Sequence, residues 1–134
     1  MGAAMFLKFQ TDGERRAFGG SAFLEIQYCS LPAGSSARKT VSVDSIHNWN
    51  LSSLYVSAED MDGFYAQYKD ILHNGLYNNL REGVVDLLGI NYYSEEKTRA
   101  IIAELHARRP KGYETLLAWL RESPHNNGFY VLGI

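Results

Sequence analysis

The spacing of apolar residues changes along this chain, and that change limits the fold more than any other feature. Leu24, Ile26 and Tyr28 alternate with Glu25 and Gln27, the two-residue period of a strand that turns one face inward. From Met61 the apolar positions Phe64, Tyr65, Tyr68, Ile71 and Leu72 instead recur as one stripe of a helix. A chain that runs through strands first and helices later folds as α+β. The same alternation predicts strands around Met5, Leu7 and Phe9, at Val41 with Val43, and at Leu54 with Val56.

Ser57 ahead of Ala58-Glu59-Asp60 has the form of a capping box, so a helix is expected to start at Ala58 and stop at Asn74-Gly75. Residues 76–83 read as a polar connection, and Val84–Ile90 as a central strand covered on both faces. Ser94 then caps a second helix with Glu95 and Glu96 in its first turn and Ile101, Ile102 and Leu105 inward. Pro110 and Gly112 separate it from a third helix that buries Tyr113, Leu116, Leu117 and Leu120. Pro124 and Asn126-Asn127-Gly128 turn the chain into a closing strand from Phe129 to Ile134. The expected architecture has N-terminal antiparallel strands, one helix, then strand-helix-helix-strand around a single central sheet, in one domain spanning 1–134.

With 134 residues, 46% of them hydrophobic, the chain can bury a core without metal or disulfide staples. Its one cysteine, Cys29, permits no internal disulfide, suits a reducing compartment and reads as a small core residue. The segment from Met1 to Lys8 lacks the basic and apolar blocks of a secretory signal, and the apolar runs are short for a membrane span. A cytoplasmic location is the expectation.

Net charge is only −2, but it is unevenly placed. Between Ser57 and Glu96 stand Glu59, Asp60, Asp62, Asp70, Glu82, Asp86, Glu95 and Glu96 against Lys69 and Arg81 alone. Such a stretch repels phosphates and attracts a cationic partner if its carboxylates share a surface. Direct nucleic-acid binding is therefore not expected, and Arg15-Arg16 and Arg108-Arg109-Pro110-Lys111 are too short to reverse that.

Catalytic and metal motifs are missing. His47, His73, His106 and His125 have no metal-ligand spacing, Asp60-Met61-Asp62-Gly63 fails the calcium-loop pattern, and no phosphate-cradling glycine loop is present. Neither a metal nor another cofactor is expected. Asp86 is singular as a carboxylate in an apolar run, and must be hydrogen-bonded, paired or aimed at an opening. Trp49 and Tyr92-Tyr93 read as lids on the core.

Three runs together, D-G-F-Y-A-Q-Y-K-D from Asp62, G-V-V-D-L-L-G-I-N-Y-Y-S from Gly83 and N-G-F-Y-V-L-G-I from Asn127, resemble bacterial immunity proteins of contact-dependent growth inhibition, of the ribonuclease-toxin type. The resemblance covers Asp62–Ile134. It implies a cytoplasmic antitoxin without catalytic activity that binds the toxin domain of its own system, a basic ribonuclease, and blocks its active site. The acidic stretch fits such a partner independently. The contact residues expected from it are Glu59, Asp62 and Asp70 on the wet helix face, with Tyr77, Asn78, Asn79, Glu82 and Asp86 from the segment that follows. Two other readings stand beside this one: a small enzyme with a cleft centred on Asp86, with Tyr92 and His73, and a non-catalytic scaffold whose acidic face only solvates.

Overall fold

A computed structural model describes residues 5–18, 23–46, 50–122 and 127–133. Eleven helices and strands make up the framework: α1 (Asp12–Ala17), β1 (Phe23–Tyr28), α2 (Ala37–Thr40), β2 (Leu54–Ser57), α3 (Met61–Tyr68), β3 (Gly75–Tyr77), β4 (Glu82–Gly83), β5 (Ile90–Tyr93), α4 (Glu95–Arg108), α5 (Tyr113–Arg121) and β6 (Phe129–Leu132). The strands form one antiparallel sheet in the order β2-β1-β6-β5-β3-β4. The α+β class is as the hydrophobic periods require. The last strand sits mid-sheet between β1 and β5, which explains why Phe129, Tyr130 and Val131 are all buried.

Strand alternation divides the core in two. Leu24, Ile26, Leu54, Val56, Tyr93, Phe129 and Val131 meet Phe64, Tyr68, Ile101, Leu105, Leu116, Trp119 and Leu120 from α3, α4 and α5. The opposite face packs Tyr92 and Tyr130 with Cys29 and Val41, with Leu31 and Ile46 against them. Tyr28 and Trp119 stack with ring centroids 3.9 Å apart; the Tyr28 hydroxyl donates to the Trp119 carbonyl, and the indole N–H donates to the Ser52 carbonyl.

Because both faces are covered, Glu25 and Gln27 are buried rather than turned to water as simple alternation suggests. Glu25 accepts hydrogen bonds from the Ser53 hydroxyl at 2.7 Å and the Gln27 amide at 3.0 Å, so the buried carboxylate is hydrogen-bonded.

Several local expectations are corrected. Around Met5, Leu7 and Phe9 only an isolated bridge from Leu7 to Tyr55 forms, and Phe6 is buried as well. The Val41–Val43 strand is replaced by α2 and a 3₁₀ turn at Val43–Ser45, since Ser36 and Ser42 accept from the Lys39 and Asp44 amides and cap helical turns. A 3₁₀ turn occupies Ala58–Asp60 before α3 begins at Met61; the Ser57 hydroxyl bonds the Asp60 carboxylate and caps nothing. Helix α3 ends at Tyr68, with Ile71 and Leu72 still buried beyond it, and Tyr65 turns outward from the predicted stripe.

Gly75 is no helix stop but the first residue of β3, where a Cβ would stand 2.9 Å from the Tyr93 ring. Residues 75–83 form a hairpin, and the predicted strand at Val84–Ile90 is mostly a loop, with β5 starting at Ile90. Ser94 does cap α4, accepting from the Lys97 amide, and Ile101 and Leu105 are buried while Ile102 is half-buried. The predicted positions Gly19-Gly20, His47, Trp49, Pro124, His125, Asn126 and Ile134 lie outside the described residues. No helix among the described residues is long and apolar enough to cross a membrane.

Candidate partner-binding surface

Register sets one end of the sheet apart. Tyr77 on β3 pairs with Asn91 on β5, and Ile90 pairs with Leu132 on β6. The hairpin tip at 78–80, which follows Tyr77, and the end of the loop at 84–89, which leads into Ile90, therefore lie at the same end of the sheet, while that loop starts after Gly83 at the Gly75 end. The tip is closed by the Leu80 amide donating to the Tyr77 carbonyl and the Tyr77 amide donating to the Arg81 carbonyl. Leu80 takes the left-handed conformation at φ 70°, where hairpins of this kind favour glycine or asparagine. The Asn79 side chain accepts from the Arg81 amide and supports the tight turn.

The loop is held from beneath by Asn91, a fully buried side chain in β5. Its carbonyl oxygen accepts from the Asp86 amide, and its amide group donates to the Asp86 and Val131 carbonyls, all at 2.8–2.9 Å. The Asp86 carboxylate accepts from the Leu88 amide at 2.9 Å and closes a turn on its own backbone. The Gly133 amide donates to the Gly89 carbonyl at 2.7 Å, in a contact so tight that a Cβ on Gly133 would strike the backbone of Leu87 and Gly89. Asp86 is thus exposed at a turn, not embedded in a strand. The buried anchor that an apolar run demands is Asn91, five residues on.

Tyr77 joins this loop to α3. Its hydroxyl donates to the Val84 carbonyl. Partial burial, and after it the nearby Asp86 carboxylate and Tyr65 phenol, push the Tyr77 phenol up from its ordinary value. Tyr65 is exposed on α3, and Asp62 stands one helical turn before it on the same face. Tyr65, Leu80, Val84 and Leu88 are among the large hydrophobic side chains exposed in this structure, Leu80 at the hairpin tip and Leu88 the most open of them at 79%.

The predicted contact residues divide. Tyr77 and Asp86 adjoin each other, and Asn78 and Asn79 occupy the exposed hairpin tip beside them. Glu59 and Asp62 are exposed near the start of α3. Among the described residues no ion pair engages Glu59, Asp62 or Asp86. Asp70 instead lies 4.0 Å from Arg108, and Glu82 lies 3.0 Å from Lys97, whose ammonium also donates to the Asn74 carbonyl. Pairing opposite Leu76 also puts Glu82 on the other face of the hairpin from Tyr77. Cations of α4 thus offset part of the acidic stretch, which the count along the sequence cannot reveal. Exposed pairs of this kind are worth at most about 1 kcal/mol.

The residues missed by sequence reasoning are Tyr65, Leu80, Val84, Leu88 and Asn91. Tyr65 belongs to the predicted buried stripe, Leu80 to the predicted polar connection, and Val84 and Leu88 to the apolar run read as a strand. The one available signal was the asparagine inside an apolar strand, a polar group that burial obliges to find partners.

The residues of the proposed enzymatic cleft have separate local roles. Tyr92 donates to the Asn127 carbonyl and packs with Tyr130 on the second core face, Asp86 holds the Leu88 turn, and His73 is exposed after α3. Open cavities of about 560 Å³ and 430 Å³ lie elsewhere, the first along Ser30, Ser36, Arg38 and Lys39, the second along Lys8, Glu114, Trp119 and Glu122. Among the described residues no three His, Cys, Asp or Glu side chains gather to hold a metal ion. Comparison of the chain with family models, curated proteins and solved structures finds no match.

Proposed function

We propose that this chain is an immunity protein that acts in the cytoplasm, binding a cognate secreted toxin and covering its active site with an acidic surface. The toxin is proposed to be a basic ribonuclease. Cationic surfaces that hold RNA phosphates are complementary to carboxylates, so an acidic protein face competes with substrate for the same charges.

The observation that carries the reading is the exposed Asp86 carboxylate, without an ion pair among the described residues, close to Tyr77 and two residues from the exposed Leu88 on a braced loop. Interfaces of this composition gain affinity from aromatic and apolar contacts, and association rate and specificity from charge. Glu59 in the 3₁₀ turn and Asp62 in the first turn of α3 are exposed carboxylates as well.

The test is co-expression with the C-terminal domain encoded by the gene immediately upstream. The expected result is rescue of cells from that domain and a salt-sensitive complex between the purified proteins. Reversing charge at Glu59, Asp62 and Asp86 together should lower the affinity and flatten its salt dependence. Failure to protect, or a complex indifferent to those reversals, would remove the proposal.

A further inference from the structure

Helix α2 and the 3₁₀ turn at Val43–Ser45 border an open cavity of about 560 Å³ that the acidic surface does not use. Their backbone is fastened to the sheet. Thr40 and Val41 are buried, and the Tyr130 hydroxyl of β6 donates to the Thr40 carbonyl at 2.7 Å. The Ser45 hydroxyl donates to the Lys39 carbonyl at 2.7 Å, and the Thr40 hydroxyl to the Ser36 carbonyl at 2.9 Å, so helix and turn brace each other. A wall held in place before a ligand arrives loses little entropy when it binds.

The lining of this cavity is rich in donors. Ser36 and Ser42 each accept one backbone N–H, from Lys39 at 3.2 Å and from Asp44 at 3.3 Å, and a hydroxyl that accepts still has its own proton to give. Arg38 and Lys39 line the same cavity and form no ion pair among the described residues. Asp44 is the one acid in the lining, so two cations against one carboxylate leave it at +1. A guanidinium, an ammonium and hydroxyl donors together match the three outer oxygens of a phosphate ester, whereas a carboxylate has two oxygens and leaves donors unmet. The cavity is far larger than a bare phosphate ion needs and lies within the range of about 300–1,000 Å³ usual for small-molecule sites. Leu31 gives the rest of it an apolar wall, and Asp44 an acceptor for a ligand hydroxyl.

We propose that this cavity is a binding site for a small phosphate monoester, whose phosphate meets Arg38, Lys39 and the hydroxyls of Ser36 and Ser42 and whose hydroxyl-bearing body meets Asp44. Asp44 also sets the size of the ligand. A nucleic-acid strand brings further phosphates past that carboxylate and onto a chain of net charge −2, so the site suits one phosphate and not a polymer. The inference is independent of the immunity reading and needs no toxin for its test.

The experiment follows the backbone amides of the full chain by NMR during titration with ribose phosphate, with inorganic phosphate, ribose and sodium chloride of equal ionic strength as comparisons. Ribose phosphate is expected to give saturable shifts centred on the amides of Ser36, Lys39, Ser42 and Asp44, with inorganic phosphate binding more weakly and ribose alone giving none. Replacing Arg38→Gln and Lys39→Gln together should weaken binding about tenfold or more, with the thermal midpoint unchanged because both side chains are exposed. Asp44→Asn keeps an acceptor and removes the repulsion, so inorganic phosphate should bind roughly twofold tighter or better. Shifts no larger than sodium chloride produces, or a double variant that binds as the wild type does, would overturn the site. Inorganic phosphate binding as tightly as the ester, or a short single-stranded RNA displacing the ester at lower concentration, would overturn the choice of a monoester.

Discussion

Two single residues carry strain or lost hydrogen bonding that substitution can release. The Tyr93 hydroxyl is buried against Gly75 and, among the described residues, has no hydrogen-bond partner. A buried hydroxyl that has left water without replacement costs about 1–3 kcal/mol. Tyr93→Phe should therefore leave stability unchanged or raise it by about 1 kcal/mol, read by denaturant unfolding; a clear loss would show that the hydroxyl has a partner after all. Leu80 at φ 70° is the second case. A left-handed leucine costs about 1–2 kcal/mol, so Leu80→Gly should stabilise the chain by roughly 1 kcal/mol after the extra unfolded-state entropy of glycine is deducted. A destabilised variant would mean that the leucine side chain makes packing contacts that outweigh its backbone strain.

At the scale of elements, the polar core of β5 decides whether the sheet end is ordered. Asn91 bonds the loop at Asp86 on one side and β6 at Val131 on the other, tying three pieces of backbone through one side chain. Asn91→Ala leaves these buried groups unpaired and should cost about 2–4 kcal/mol, with the Asp86 amide exchanging its hydrogen much faster. Unchanged exchange at that amide would show that the loop is held by other means. Helix α4 acts at the same scale from the other side. Its Lys97 and Arg108 approach Glu82 and Asp70, while Glu59, Asp62, Asp86 and Glu96 are exposed without an ion pair among the described residues. The partner-facing charge is a product of helix placement, and no count along the chain predicts it.

For the whole molecule, burial of tyrosines on both sheet faces creates a dependence on alkaline pH. Burial pushes the Tyr55 and Tyr92 phenols up to about 12 from an ordinary 10.0, and the Tyr28, Tyr68, Tyr93 and Tyr130 phenols are raised by the same cause. Below pH 10.0 both folded and unfolded chains keep these protons, and their contribution is fully present. As pH rises towards about 12 the unfolded chain ionises first, so stability should fall across that window. Tyrosinate absorbance and circular dichroism should then change together in one transition. Phenols that ionise near 10.0 with the fold intact would contradict this packing.

How much of this was legible beforehand follows from the range of the forces involved. The α+β class, strands β1, β2 and β6, and helices α4 and α5 were readable because period, caps and breakers act over a few neighbouring residues. Val84–Ile90 and 76–83 were misread because an apolar run looks alike in a strand and in a loop pinned over a core, and a hairpin tip that uses Leu80 in place of glycine gives no turn signal. Tyr77, Asn78, Asn79 and Asp86 are singled out in the sequence by charge and polarity alone. Their meeting around Tyr77, and the withdrawal of Asp70 and Glu82 towards α4, was decided by the antiparallel register and by where α4 lies. Composition and period thus determined the α+β class and the elements β1, β2, β6, α4 and α5. Long-range pairing decided which side chains are neighbours, because hydrogen-bond register and helix docking join residues that local sequence leaves independent.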